Sequence, residues 1–181
     1  MILLTERLTL SLLTPEDEND LLEYQSDPES VRYIPWPART REQVAEAIAK
    51  LANLTIPTAE NESYVLGWRL NTTGKVIGQS NLTIRSLEHS CAEMGWVVSP
   101  HFRNLGFATE ATHAFMDFAF SELKLHRVVA YIDQRNESSV RLAERLGMRR
   151  EAAYEKDEFF KGEWTSAYLY AILAEERAAQ N

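Results

Sequence analysis

The chain has 181 residues, of which 45% are hydrophobic, 10% aromatic and 25% charged, the profile of one soluble globular domain. A chain of this length removes about 70% of its unfolded surface from water, so no disulfide or structural metal is required; the single Cys91 excludes an internal disulfide and a cysteine-rich zinc site. Nineteen Lys and Arg against 27 Asp and Glu give a net charge of −8, which argues against nucleic acid or an anionic membrane as the main partner.

Glu6 and Arg7 come too early for a signal peptide, and the longest apolar stretch, Tyr168 to Ala174, is far short of the ~20 residues that span a bilayer. The expected compartment is the reducing cytoplasm. Ile2 to Leu13, rich in leucine and β-branched residues, reads as an opening strand. Thr14, Pro15 and Asp17 form a capping-box-like start for a helix reaching about Ser26. Thr40 and Gln43 repeat that spacing ahead of a helix from about Arg41 to Asn53, with Val44, Ile48 and Leu51 on one face. Between the two, Tyr33-Ile34-Pro35-Trp36-Pro37 is a loop carrying two aromatics.

Tyr64–Asn71 and Lys75–Arg85 read as strands joined by a turn containing Gly74, and Ala92–Val98 as a third strand stopped at Ser99-Pro100, together an antiparallel meander. Thr109–Leu123 carries Ala111, Ala114, Phe115, Phe118 and Ala119 at helical spacing. Arg127–Ile132 is a short apolar strand. Asn136 opens a helix with Val140, Ala143 and Leu146 inward, and Gly147 stops it. Glu158–Phe160 and Thr165–Leu173 flank the turn Lys161-Gly162-Glu163 as a last hairpin. The order is βααβββαβαββ, with no repeat or linker, and one domain is expected over residues 1–181.

The chemistry concentrates between Glu93 and Met148. Arg103-Asn104-Leu105-Gly106-Phe107-Ala108 links a strand to the N-terminus of an amphipathic helix, where free backbone N–H groups and the helix dipole favour an anion. Gly106 lets the backbone approach a ligand closely, Ala108 keeps the next turn small, and Arg103 can add a charge-assisted contact. The dinucleotide Gly-x-Gly-x-x-Gly and the P-loop Gly-x-x-x-x-Gly-Lys-Ser/Thr are both absent.

Together with Asn136-x-x-Ser139 and Leu146-Gly147-Met148, this stretch resembles the GNAT family of acyl-CoA-dependent N-acyltransferases. Ala92–Pro100, Arg103–Ala111, Asn136–Met148 and Phe160–Trp164 look like the RimJ/RimL branch, whose founding members acetylate protein N-termini. The resemblance covers nearly the whole chain. It implies an α/β (α+β) GNAT fold: a mixed, mostly antiparallel central sheet with a V-shaped splay, flanked by helices. Acetyl-CoA is the implied co-substrate, no metal is implied, and the acceptor is an amine.

The resemblance also implies roles. The pyrophosphate would rest on Arg103, Asn104, Leu105, Gly106, Phe107, Ala108 and Thr109, and the pantetheine arm would run beside Val97 and Val98. The Val98 N–H, freed where Arg127–Ile132 splays away, would bond the thioester carbonyl and stabilise the developing oxyanion. Asn136 would hold the pantetheine amides from the other lip; capping its helix is compatible with that role. Acyl transfer to an amine needs a base, and Glu93, on the strand that carries Val98, is the candidate. Many GNAT enzymes use a tyrosine seven residues after the position of Asn136, where this chain has Ala143; Ser139 is the candidate group for the departing thiolate.

Tyr33, Trp36, Trp68 and Tyr154, with Glu93, are the candidates for the acceptor cleft, which the first two helices and the last hairpin frame in this family. The dispersed histidines, His89, His101, His113 and His126, read as structural. A protein or peptide N-terminal α-amine is the leading acceptor, a small amine such as a polyamine, amino acid or antibiotic the alternative. A non-catalytic acyl-CoA-binding sensor or interaction module is the reading from another class. The chain is compatible with a homodimer. Residues 1–30 hold eight acids and one base and residues 31–150 fifteen bases and twelve acids, so the acidic ends hint at a cationic acceptor.

Overall fold

A computed structural model describes residues 2–180. The expected opening strand is two strands, β1 (Leu3–Leu4) and β2 (Leu8–Ser11), paired antiparallel. Thr5 breaks the run: its backbone N–H donates to the Leu8 carbonyl at 2.9 Å and its hydroxyl oxygen accepts the Leu8 N–H at 2.9 Å, closing a turn. A 3-10 turn at Pro15–Asp17 then leads into α1 (Glu18–Gln25), with the Asp17 carboxylate accepting the Thr14 N–H at 2.7 Å. Thr40 and Gln43 cap α2 (Arg41–Leu51) by the reciprocal pair of bonds the spacing predicts.

The meander forms as expected from β3 (Ser63–Leu70), β4 (Val76–Ser86) and β5 (Cys91–Val98), followed by α3 (Phe107–Ser121), β6 (Arg127–Asp133) and α4 (Glu137–Arg145). β7 (Arg149–Phe160) and β8 (Glu163–Leu173) form the last hairpin, and a short helix, α5 (Ala174–Ala178), which the sequence pattern did not announce, follows. Lys161 and Gly162 both have positive φ, 49° and 91°, as the tight hairpin turn requires. β7 begins nine residues before the expected Glu158. Almost all of its side chains lie in water, so it carries no apolar alternation to read.

The eight strands form one sheet in the order β1-β2-β3-β4-β5-β6-β8-β7, in which every pair is antiparallel except β5 with β6. On one face Leu66, Leu82 and Met94 pack with Phe115 and Met116 of α3 and Leu142 of α4. On the other, Val76 and Val97 pack under Leu21 and Tyr24 of α1 and Val44 and Ile48 of α2. Helices therefore cover both faces of the meander, which makes its strands hydrophobic throughout their centres. Among the described residues no helix is long and apolar enough to cross a membrane.

Candidate active site

β5 and β6 run side by side for three residues only, Cys91 to Arg127, Ala92 to Val128 and Glu93 to Val129; from Met94 to Val98 β5 keeps β4 alone as neighbour. The sheet opens into a V. The Ser99 N–H donates to the Ile77 carbonyl at 2.8 Å, toward β4. Successive N–H groups alternate across a strand, so the Val98 N–H is turned to the edge that β6 has left. A cavity of about 800 Å³ occupies the opening. Its lining comes from the α1–α2 connection, the end of β5, the entry to α3, and α4.

The entry to α3 fits an anion. Asn104 and Gly106 have positive φ, 61° and 83°, and no side chain caps the helix, so the N–H groups of its first turn face the cavity without an internal partner. Arg103, Asn104, Gly106, Ala108 and Thr109 line the cavity. Leu105 is exposed, and Phe107 packs edge-on against Phe102 and under the Arg7 guanidinium; neither of these expected cofactor contacts is part of the cavity lining.

On the other lip, the Asn136 side-chain oxygen accepts the Ser139 N–H at 3.2 Å and the Ser138 hydroxyl at 2.9 Å. Asn136 is thus the N-cap of α4, and its amide NH2 remains to donate toward the cavity it lines. Ser139 accepts the Trp96 indole N–H at 3.1 Å, a bond that spans the V from β5 to α4. With its oxygen so engaged, the Ser139 hydroxyl hydrogen is the one left to give.

The profile of the acetyltransferase (GNAT) domain matches residues 7–149. The chain belongs to the GNAT acetyltransferase family. It is 32% identical over 176 residues to the uncharacterized N-acetyltransferase YnaD of Bacillus subtilis, covering 97% of this chain and 99% of the relative. A GNAT-family acetyltransferase from Bacillus anthracis superposes with a TM-score of 0.87 at 32% identity, over 97% of this chain and 99% of the other. The spermidine N-acetyltransferase of Vibrio cholerae, solved with CoA and spermine, shares the fold at 20% identity and a TM-score of 0.80, over 96% and 99% of the two chains. GNAT acetyltransferases use acetyl-CoA, and this protein is an N-acetyltransferase of that family. Among the described residues no cluster of His, Cys, Asp and Glu is arranged to hold a metal ion.

The acceptor side of this GNAT domain differs from expectation at four positions. Trp68 is fully buried in the sheet core, with its indole N–H on the Ser80 hydroxyl at 3.1 Å, and lines no cleft. Trp36 lies under the Arg39 guanidinium, 4.4 Å from its ring centroid, outside the cavity lining. Tyr154 stacks on Tyr131 on the open face of the last strands. Glu93 sits where β5 and β6 still pair, five residues or about 16 Å of strand from Val98, and Arg85 holds its Oε2 at 2.7 and 3.0 Å. Tyr33 does line the cavity, beside Glu29, Ser30 and Ile34, and Lys161 at the tip of the last hairpin reaches the Val31 carbonyl at 2.6 Å.

The carboxylates of Asp17 and α1 are held within the fold. Asp17 binds the Arg69 guanidinium at 2.5 and 2.6 Å, Glu18 pairs with Arg41, Glu23 with Lys75, and Asp20 accepts the Val76 N–H. These bonds tie α1 to the sheet and to α2. The cavity's carboxylates are Glu29 and Glu110, while Arg103, Arg141 and Arg145 bring cations. His113 also lines it; burial lowers its pKa. Helical spacing from Asn136 places Arg141 and Arg145 on one side of α4, a signal the sequence held.

Proposed function

We propose that the protein transfers the acetyl group of acetyl-CoA directly to the α-amine at the N-terminus of a protein or peptide, in the manner of the RimJ/RimL-like branch. The observation that carries the reading is the Val98 N–H turned into a V whose lip continues into an uncapped helix N-terminus. Bound acetyl-CoA would supply the activated acyl group. The backbone from Arg103 to Thr109 would take its pyrophosphate, Val97 and Val98 would flank its arm, and the Asn136 amide would donate to the arm's carbonyls. Val98 would stabilise the thioester oxygen as charge develops, an effect worth about 3–4 kcal/mol. Ser139, its oxygen held by Trp96, would direct its O–H at the departing sulfur.

Acceptor chemistry follows from proton availability. An α-amine has a pKa near 8, so roughly a tenth of it is neutral at pH 7, whereas a lysine-like or polyamine amine near 10.4 is neutral in less than about a thousandth. A cavity whose carboxylates are Glu29, exposed at the mouth, and Glu110, already bonded to Thr5 and Arg7, supports an acceptor that needs no strong side-chain base. The several arginines in the lining speak against a polycation.

The test compares a peptide with a free N-terminus, the same peptide blocked at its N-terminus but carrying lysine, and spermidine, by release of CoA thiol. The free peptide should give the highest kcat/KM by at least about tenfold, rising with pH until the α-amine is neutral near pH 8. Preference for spermidine or for the lysine peptide would replace this acceptor with a small amine or a side chain. CoA binding without turnover on any acceptor would make the domain an acyl-CoA sensor.

A further inference from the structure

The first hairpin contributes to the cofactor lip in a way that neither the anion-binding motif nor the cleft residues include. Arg7, in the β1–β2 turn, donates its backbone N–H to Glu110 Oε1 at 2.7 Å and its Nε–H to Glu110 Oε2 at 2.6 Å. The Thr5 hydroxyl donates to the same Oε1 at 2.6 Å. The Arg7 Nη1–H donates to the Leu105 carbonyl at 3.0 Å, its guanidinium lies 4.3 Å from the Phe107 ring centroid, and a Cβ at Gly106 would come within 3.2 Å of its Nη2. One side chain thus holds Leu105 and Phe107, lies beside Gly106 between them, and binds the carboxylate of the next helical turn.

That carboxylate lines the cavity one turn from the uncapped helix start. Burial alone would raise its pKa, but the bonds from Thr5 and Arg7 outweigh burial and hold it below the ordinary carboxylate value, so it is charged at neutral pH. An anion placed at the head of α3 would meet a like charge within the same cavity. Arg7 is the cation in contact with it.

We propose that Arg7 is a positioning residue for the co-substrate: it masks the charge of Glu110 and sets the 105–107 backbone so that the head of α3 can accept the pyrophosphate. This rests on the reading of that loop as the pyrophosphate seat. It makes a prediction of sign that a merely structural tie does not. Removing Arg7 alone leaves an unmasked carboxylate in the cavity, whereas removing both partners removes the repulsion as well.

The experiment measures the dissociation constant of CoA by calorimetry for wild type, Arg7→Met, Glu110→Gln and the double variant, with thermal melts of each. Arg7→Met should weaken CoA by about tenfold or more, and adding Glu110→Gln should restore most of that loss. Steady-state KM for S-acetylpantetheine, which lacks the phosphates, should not change across the series, nor should kcat at saturating acetyl-CoA. Arg7→Lys, keeping the charge without the fork, should bind between wild type and Arg7→Met, and it carries the test if Arg7→Met does not fold. CoA binding by Arg7→Met within twofold of wild type, a double variant as weak as Arg7→Met, or an equal loss on S-acetylpantetheine would overturn the proposal. Gly106→Glu separates the two readings: if it binds CoA like wild type, the pyrophosphate seat itself is wrong, and if it loses CoA while Arg7→Met does not, only the role of Arg7 falls.

Discussion

On the β5 lip of the V the donors proposed for the co-substrate belong to the backbone, the Val98 N–H and those around Gly106, whereas on the α4 lip they belong to side chains, Asn136 and Ser139. The first set is available because of where the chain goes: β6 leaves β5 after Glu93, and Gly106 turns the chain with a positive φ. The second is available because each side chain has one hydrogen-bonding capacity consumed by the fold and one left over. Substitution therefore acts differently on the two. The backbone lip responds to changes that alter chain conformation or fill space, and the side-chain lip to deletion of single atoms.

The largest expected effect is at Gly106. At φ 83° any side chain is strained, and Gly106→Glu adds bulk beside Arg7 and a negative charge at the helix head, so CoA affinity should fall by at least about a hundredfold. Calorimetry with CoA reads this directly, and unchanged affinity would dissolve the distinction between the lips. Asn136→Ala comes next. It deletes both the cap and the free amide, so the melting temperature should drop by about 2–4 °C, as expected for a cap worth about 1 kcal/mol in a chain of this size, while KM for acetyl-CoA rises by about tenfold. Asn136→Asp keeps the cap and removes the amide donors; it should recover the melting temperature but not the KM. Ser139→Ala removes a single donor and should lower kcat by about tenfold with KM for acetyl-CoA nearly unchanged.

What the sequence announced and what it withheld divide along similar lines. The caps at Thr14 and Thr40, the meander, the turn at Gly162 and the entry to α3 are local patterns, and each is present in the structure. The first nine residues of β7 carry no legible signal, because an edge strand with both faces in water has no alternation. A family resemblance does not separate a core aromatic from a lining one at Trp68, whose alternation with Leu66 on β3 puts it on the α3 face. The Arg7–Glu110 tie joins residues 103 apart in sequence, a pairing that no spacing rule reaches. Asp17, Glu18 and Glu23 likewise find partners distant in sequence, Arg69, Arg41 and Lys75.

The smallest expected effect is the sharpest for the comparison. Glu93 shares β5 with Val98 but lies where the V is still closed, and its carboxylate is bonded to Arg85 on β4. If catalysis on the β5 lip is a property of the opened backbone, Glu93→Gln should leave kcat within about twofold of wild type, because a half-exposed ion pair is worth at most about 1 kcal/mol. The pH–rate profile should stay governed by the acceptor amine. A large fall in kcat at unchanged CoA affinity would mean that a proton path runs from the cavity down the α1 face of β5. The two lips would then no longer be backbone against side chain, and Arg85→Met would show the same loss, because Glu93 would have to be held toward that path by its partner.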